Sequence, residues 1–147
     1  ADKLQRWTRD LLLTREARDL PHAARDGIAR QFLVPQVAIK VWGVSADFAD
    51  EDFAQGASDD VQAFASSLTL PYCGANPGLE AARWLDDPDS AASLALIPLR
   101  AGIAPQAFGL LVLASADPQR FASDMGTDFL ERIGEITSAA LSRLRPE

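Results

Sequence analysis

Cysteine, histidine, methionine and tyrosine each occur once in this 147-residue sequence, and lysine only twice. A single thiol closes no internal disulfide, which excludes a small secreted scaffold held by such bridges. One Cys and one His cannot supply the four ligands of a structural zinc site. No apolar run approaches the roughly 18 residues of a membrane span. No basic segment followed by an apolar one opens the chain as a signal peptide would. The sequence starts at Ala1 without a methionine, as a processed or trimmed chain does. Positive charge is also short: 14 Lys and Arg stand against 21 Asp and Glu, a formal net charge of −7. That balance argues against general binding to a nucleic-acid backbone.

What remains is ordinary globular material, 48% hydrophobic and 24% charged. The length fits one domain that buries roughly 70% of its unfolded surface. Leu4, Trp7, Leu11 and Thr14 predict a helix over Asp2 to Arg18. Asp19 then reads as an N-cap with Pro21 in the first turn, opening a second helix to about Leu33. Gly27 weakens that helix slightly, and Pro35 ends it. Gln36 to Val44 alternates as a strand, with Val37, Ile39 and Val41 on one face and Ala38, Lys40 and Trp42 on the other. Val44 to Asp60 is polar and acidic, with Phe48 and Phe53 as anchors. Asp60 to Leu68 predicts a short helix. Leu70 to Gly78, with two Pro and two Gly, reads as a shaped loop, followed by a short helix over Leu79 to Leu85. Ala92–Arg100 and Ala107–Ser115 read as a hairpin, apolar on both faces and so covered on both. A final helix begins near Thr127 with the stripe Phe129, Ile133, Ile136, Ala140 and Leu144.

Few residues carry chemistry. Cys73 would need a base to become a nucleophile, and the only histidine, His22, lies far upstream. The plain reading is a small apolar residue packed in a tight turn. His22 at a helix start reads as a surface residue. The acidic stretch lacks the spacing of a calcium loop and reads as solvated. No metal site and no catalytic residue is assigned, and the sequence names no cofactor. Lys40 stands out because it sits mid-strand beside Trp42. A cleft lined by Lys40, Trp42, Tyr72, Arg83 and Trp84, next to Cys73, would suit an anionic or aromatic ligand. The plainer alternative is a lysine that reaches out from a sheet edge to a loop carboxylate.

Several stretches resemble the bacterial domain-of-unknown-function family 484, a GAF-like family. They are Val37-Ala38-Ile39-Lys40-Val41-Trp42, then Tyr72-Cys73-Gly74, then Ser93-Leu94-Ala95-Leu96-Ile97-Pro98-Leu99. Phe108-Gly109-Leu110-Leu111-Val112-Leu113-Ala114-Ser115 and Ala116-Asp117-Pro118-Gln119-Arg120-Phe121 follow, leading into Met125-Gly126-Thr127-Asp128-Phe129-Leu130. The resemblance implies an α+β, GAF-like fold. An antiparallel sheet would carry the N- and C-terminal helices on one face. Loops and short helices, roughly Val44 to Ser90, would lie on the other face, where GAF-like domains hold small ligands. Residues 1–18 would be the end of an upstream helical, coiled-coil-prone region, and 19–147 the GAF-like domain. A bacterial cytoplasmic setting and dimerisation through terminal helices are also implied. Some GAF domains attach a bilin through a Cys beside a His, but Cys73 precedes Gly74. The Asn-Lys-x-Asp signature of cyclic-nucleotide binders is missing. Some GAF domains reduce free methionine sulfoxide with several cysteines, and here there is one.

The expectation is therefore a non-enzymatic sensory or regulatory domain of unknown ligand, homodimeric through its terminal helices, binding neither nucleic acid nor membrane. A purely structural protein–protein interaction module with a filled pocket is the rival. A Cys73-dependent enzyme is the third reading. A cavity of a few hundred cubic ångströms lined by Lys40, Trp42 and Tyr72 would separate the first from the second.

Overall fold

A computed structural model of the chain describes residues 2–147. The stripe read from Leu4, Trp7 and Leu11 forms helix α1 (Asp2–Leu13), with Trp7 and Leu11 buried. The helix stops five residues before the predicted Arg18. Thr14 turns its hydroxyl back onto Asp10 O at 2.8 Å, and Arg143 donates to the carbonyls of Thr14 and Arg15 at 3.0 and 2.6 Å. The first satisfies a carbonyl of the last helical turn, and the others hold the chain just past the helix and tie its two ends together. A 3-10 turn, Ala17–Asp19, leads into α2 (Leu20–Phe32). Asp19 occupies the cap position without a side-chain cap bond, whereas Pro21 sits in the first turn as expected. At the other end Leu33 adopts a left-handed conformation, φ 54°, and Arg120 donates to Phe32 O and Leu33 O.

Strand β1 (Gln36–Val41) is shorter than the predicted 36–44; Gly43, at φ +65°, swings the chain away. Ser58 caps α3 (Asp59–Ser67) by accepting from Val61 N–H. The segment read as a loop at Tyr72-Cys73-Gly74 is instead an edge strand, β2 (Tyr72–Ala75), antiparallel to β3. Its four residues between Pro71 and Pro77 are too few for alternation to show. The predicted hairpin is present as β3 (Ser93–Arg100) and β4 (Ala107–Ser115), with an irregularity at Leu99/Arg100. All pairings are antiparallel, and the strand order is β1-β4-β3-β2.

Helix α4 (Asp128–Leu141) closes the domain; of the predicted stripe, Ile133 and Leu144 are buried and Ile136 and Ala140 pack partly buried against the same core, while Phe129 departs from it. Leu130, Ile133, Gly134, Thr137, Ser138 and Leu141 face inward, whereas Phe129 is 43% exposed. Small residues carry this contact. A Cβ on Gly134 would lie 2.7 Å from Ile97 Cγ2, and Ser138 Oγ accepts from Arg100 N–H. Hydrophobic spacing does not register a helix face held close by glycine and serine.

The sheet separates two cores. Val37, Ile39 and Val41 join Ala95, Ile97 and Leu99 against α1, α2 and α4. Ala38, Leu94, Leu96, Leu110 and Val112 pack on the opposite face against α3 and residues 79–91. The alternation read in β1 is therefore correct. The segment 44–90 divides, however: Phe48 and Phe53 pack with the helix-side core, so 44–56 wraps around the β1 edge, and only the remainder covers the second face. Among the described residues, no helix is long and apolar enough to cross a membrane.

Candidate functional site

The most enclosed groove beside the predicted residues lies along the outer edge of β1. Gln36, at the start of the strand, donates to Asp87 O and accepts from Asp87 N–H, each at 2.8 Å. This clasp fixes the turn that carries Asp86 beside the strand. At the other end, Lys40 Nζ donates to Asp52 O at 2.9 Å. The lysine is thus anchored to the loop that wraps the edge, through a backbone carbonyl and not a carboxylate. Between the two ties is a groove of about 380 Å³, walled by Arg25 and Ala29 of α2 on one side and Trp84 and Asp86 on the other. Arg25 bonds its neighbour Asp26 at 3.1 Å.

The single cleft expected from Lys40, Trp42, Tyr72, Arg83 and Trp84 does not form. Lys40 and Trp84 share the groove. Trp42 lies against the second core, its indole N–H bonded to Ala107 O at 2.9 Å. Tyr72 packs on that same core but from β2, at the far edge of the sheet. Three strand spacings, roughly 14 Å, separate it from β1. Its hydroxyl donates to Ala75 O. Arg83 is exposed. Cys73 points to the other side of the sheet, into the helix-side core, where burial raises the thiol pKa. The space over the second face is taken up by Val61, Phe64, Ala81, Ala82 and Leu85. A notch of about 200 Å³ lies there, lined by Val61, Phe64, Leu79 and Leu96 and touching none of the predicted residues. Among the described residues, no three His, Cys, Asp or Glu side chains converge as metal ligands would.

Two features were not read from the sequence. One is the clasp between Gln36 and Asp87, which builds the groove across 51 residues of chain and leaves no local signal. The other is an apolar seam of about 330 Å³ between α1 and α4, lined by Leu11, Leu20, Ile136 and Ala140. Beside it Leu12 and Leu13 are 81% and 62% exposed. Three consecutive leucines on one helix cannot all face the same core, so Leu11-Leu12-Leu13 did carry a signal.

The fold is shared with GAF domains. The GAF domain of the Acinetobacter phosphoenolpyruvate-protein phosphotransferase matches at a TM-score of 0.65 and 15% identity, covering 97% of this chain and 92% of that one. The GAF domain of the Escherichia coli potassium sensor histidine kinase KdpD matches at 0.59 and 17% identity, with the same 97% and 92% coverage. Free methionine-R-sulfoxide reductase from Neisseria meningitidis, crystallised with its substrate, matches at 0.58 and 10% identity, covering 95% of this chain and 86% of that chain. At these identities the likeness shows the fold alone. No curated protein sequence matches the chain. Residues 1–145 match the family described as "Protein of unknown function, DUF484", a match that includes α1 as well as the sheet, and the chain belongs to that family.

Proposed function

We propose that the chain is a non-catalytic, GAF-like regulatory module that works by protein–protein association, beginning with a homodimer through α1 and α4. The observation that carries this reading is the apolar seam between those helices. Leu12 projects into solvent at 81% exposure, beside a hollow lined by Leu11, Leu20, Ile136 and Ala140. A knob and a hollow on one patch are self-complementary under a two-fold axis, the symmetry of most dimers. Burying two leucines per protomer removes apolar surface worth about 1.5–3 kcal/mol for each side chain fully covered.

The packing of the second face supports association over small-molecule sensing. A cavity lined jointly by Lys40, Trp42 and Tyr72 would favour a small ligand. Instead Phe64, Val61, Ala81 and Leu85 occupy that face. The thiol argues against catalysis. A sulfoxide reduced by thiols needs a second thiol to complete a disulfide, and Cys73 is the only one. Its pKa is raised by burial, the opposite of an activated nucleophile. A bacterial cytoplasmic setting suits a lone unpaired thiol, which stays reduced there.

Sedimentation velocity across a concentration series tests the dimer. The expected outcome is a dimer that Leu12→Glu converts to a folded monomer, with Ala63→Glu on the opposite face as a neutral control. A wild-type chain that stays monomeric at several hundred micromolar refutes the proposal.

A further inference from the structure

The open edge of β1 suggests a second association, resting on the reading of this chain as an interaction module. Trp42 N–H donates to Phe108 O, and β1 pairs Gln36, Ala38 and Lys40 with Ala114, Val112 and Leu110. In an antiparallel ladder, alternate residues turn both backbone groups to the same side. Gln36, Ala38 and Lys40 therefore face β4, while Val37 and Ile39 turn their N–H and C=O outward. Among the described residues, no hydrogen bond reaches those outward groups. They form the floor of the groove of about 380 Å³. The other edge of the sheet is protected. Strand β2 has four residues flanked by Pro71, and Pro98 sits within β3 where β2 no longer covers it. Short strands, prolines and covering loops are the usual devices that close an edge; β1 carries no proline along Gln36–Val41, and the loop that wraps it leaves the groove beside Val37 and Ile39 open.

We propose that this edge receives an extended, basic segment of another protein as an added strand. The groove fits one strand and not a second copy of the sheet. Its floor is recessed between α2 and Trp84–Asp86, so two such edges cannot meet without their walls colliding. Its length, from the Gln36 clasp to the Lys40–Asp52 tie, is roughly 13 Å at about 3.3 Å per residue, room for three or four residues of extended chain. The main-chain groups of Val37 and Ile39 would supply the affinity and the walls the selectivity, as in other strand additions. Charge selects a basic partner. Three carboxylates, Asp26, Asp52 and Asp86, line the groove against two cations, Arg25 and Lys40. Arg25 is paired with Asp26, and Lys40 is bonded to a carbonyl. Neither Asp52 nor Asp86 is in an ion pair among the described residues.

The test uses the whole chain and a blocked hexapeptide alternating valine and lysine, with a valine–glutamate peptide as its control. Hydrogen exchange at Val37 and Ile39 should slow at least tenfold with the lysine peptide, and the glutamate peptide should bind at least tenfold more weakly. Val37→Pro removes one outward N–H while leaving the bonds to β4, and should weaken binding at least tenfold. If that variant fails to fold, the double variant Asp52→Asn, Asp86→Asn decides, since it should bring the two peptides to within about threefold of each other. No binding at millimolar lysine peptide, binding that leaves Val37 and Ile39 unprotected, or equal binding of the two peptides overturns strand addition. Sedimentation of the same samples separates this from the dimer. A dimer without peptide binding removes only the strand addition, and a monomer that protects Val37 and Ile39 removes only the dimer.

Discussion

Replacing Gly27 with alanine sets two effects against each other, and the structure says which wins. On helix propensity alone the change should stabilise α2 by about 1 kcal/mol. A Cβ at this position, however, would lie 2.5 Å from Trp7 Cδ1 and 3.1 Å from its Nε1. The indole has nowhere to go. It is fully buried, and its N–H donates to Ala24 O at 3.1 Å. Overpacking of this kind costs about 1–3 kcal/mol. If the ring shifts enough to break its hydrogen bond, a buried N–H is left unsatisfied at a further cost of about 1–3 kcal/mol. The net expectation is a loss of about 2 kcal/mol or more. Urea denaturation should show it as a midpoint lowered by about 1 M, given slopes of about 1–3 kcal/mol per molar. The sign should reverse in a Trp7→Leu background, where the methyl group has space and only the propensity gain of about 1 kcal/mol remains. A Gly27→Ala variant as stable as the parent, or more stable, would refute the close α1–α2 packing.

Two further outcomes follow from individual residues. Leu33 is exposed and held at φ 54°, a conformation that costs a branched residue about 1–2 kcal/mol. Leu33→Gly should therefore raise the thermal midpoint, by about 1 kcal/mol in stability, and a lowered midpoint would show that the leucine does more than end α2. Cys73 has its pKa raised by burial above the ordinary 9.0. The folded state thus keeps its proton while the unfolded state loses it, so stability is level below about pH 9 and falls as pH rises above that value. Cys73→Ala should flatten this alkaline decline relative to the parent, and a thiol reagent near neutral pH should label native Cys73 far more slowly than denatured Cys73. Equal labelling rates would contradict its burial.

The parts legible in the sequence are those whose signal is local and apolar. Alternation in Val37 to Val41 gave the correct faces, and two apolar runs around Gly102 and Pro105 gave the hairpin. The sequence resemblance supplied the layer order. Misreadings cluster where something other than apolar spacing makes the contact. The apolar stripe places Phe129 inward, whereas Gly134 and Ser138 hold that side of α4 close to Ile97 and Arg100. The end of α1 is set by Arg143, from the far end of the chain. Strand β2 exists because Leu94 and Leu96 offer it a partner; its own four residues, one of them glycine, hold little preference for a strand.

The failure of the predicted cleft has a sharper cause. Alternation assigns a residue to a face of the sheet, but says nothing about which strand lies next to which. Lys40, Trp42 and Tyr72 do share a face, since Lys40 and Trp42 alternate with Val41 and Tyr72 packs against the same core as Trp42. With the order β1-β4-β3-β2, the strands that carry them are the two edges, and the apolar side chains of β3 and β4 lie between. Leu94, Leu96, Leu110 and Val112 then require a cover, which α3 and residues 79–91 provide. A polar ligand in that position would have to displace packed apolar groups from a sheet buried on both faces. The same geometry leaves Lys40 at the rim, free to hold the wrapping loop through Asp52 O, and leaves the floor beside it, Val37 and Ile39, with backbone groups that only another strand satisfies well. In this chain both faces of the sheet are therefore packed, and its unpaired backbone groups lie along the β1 edge.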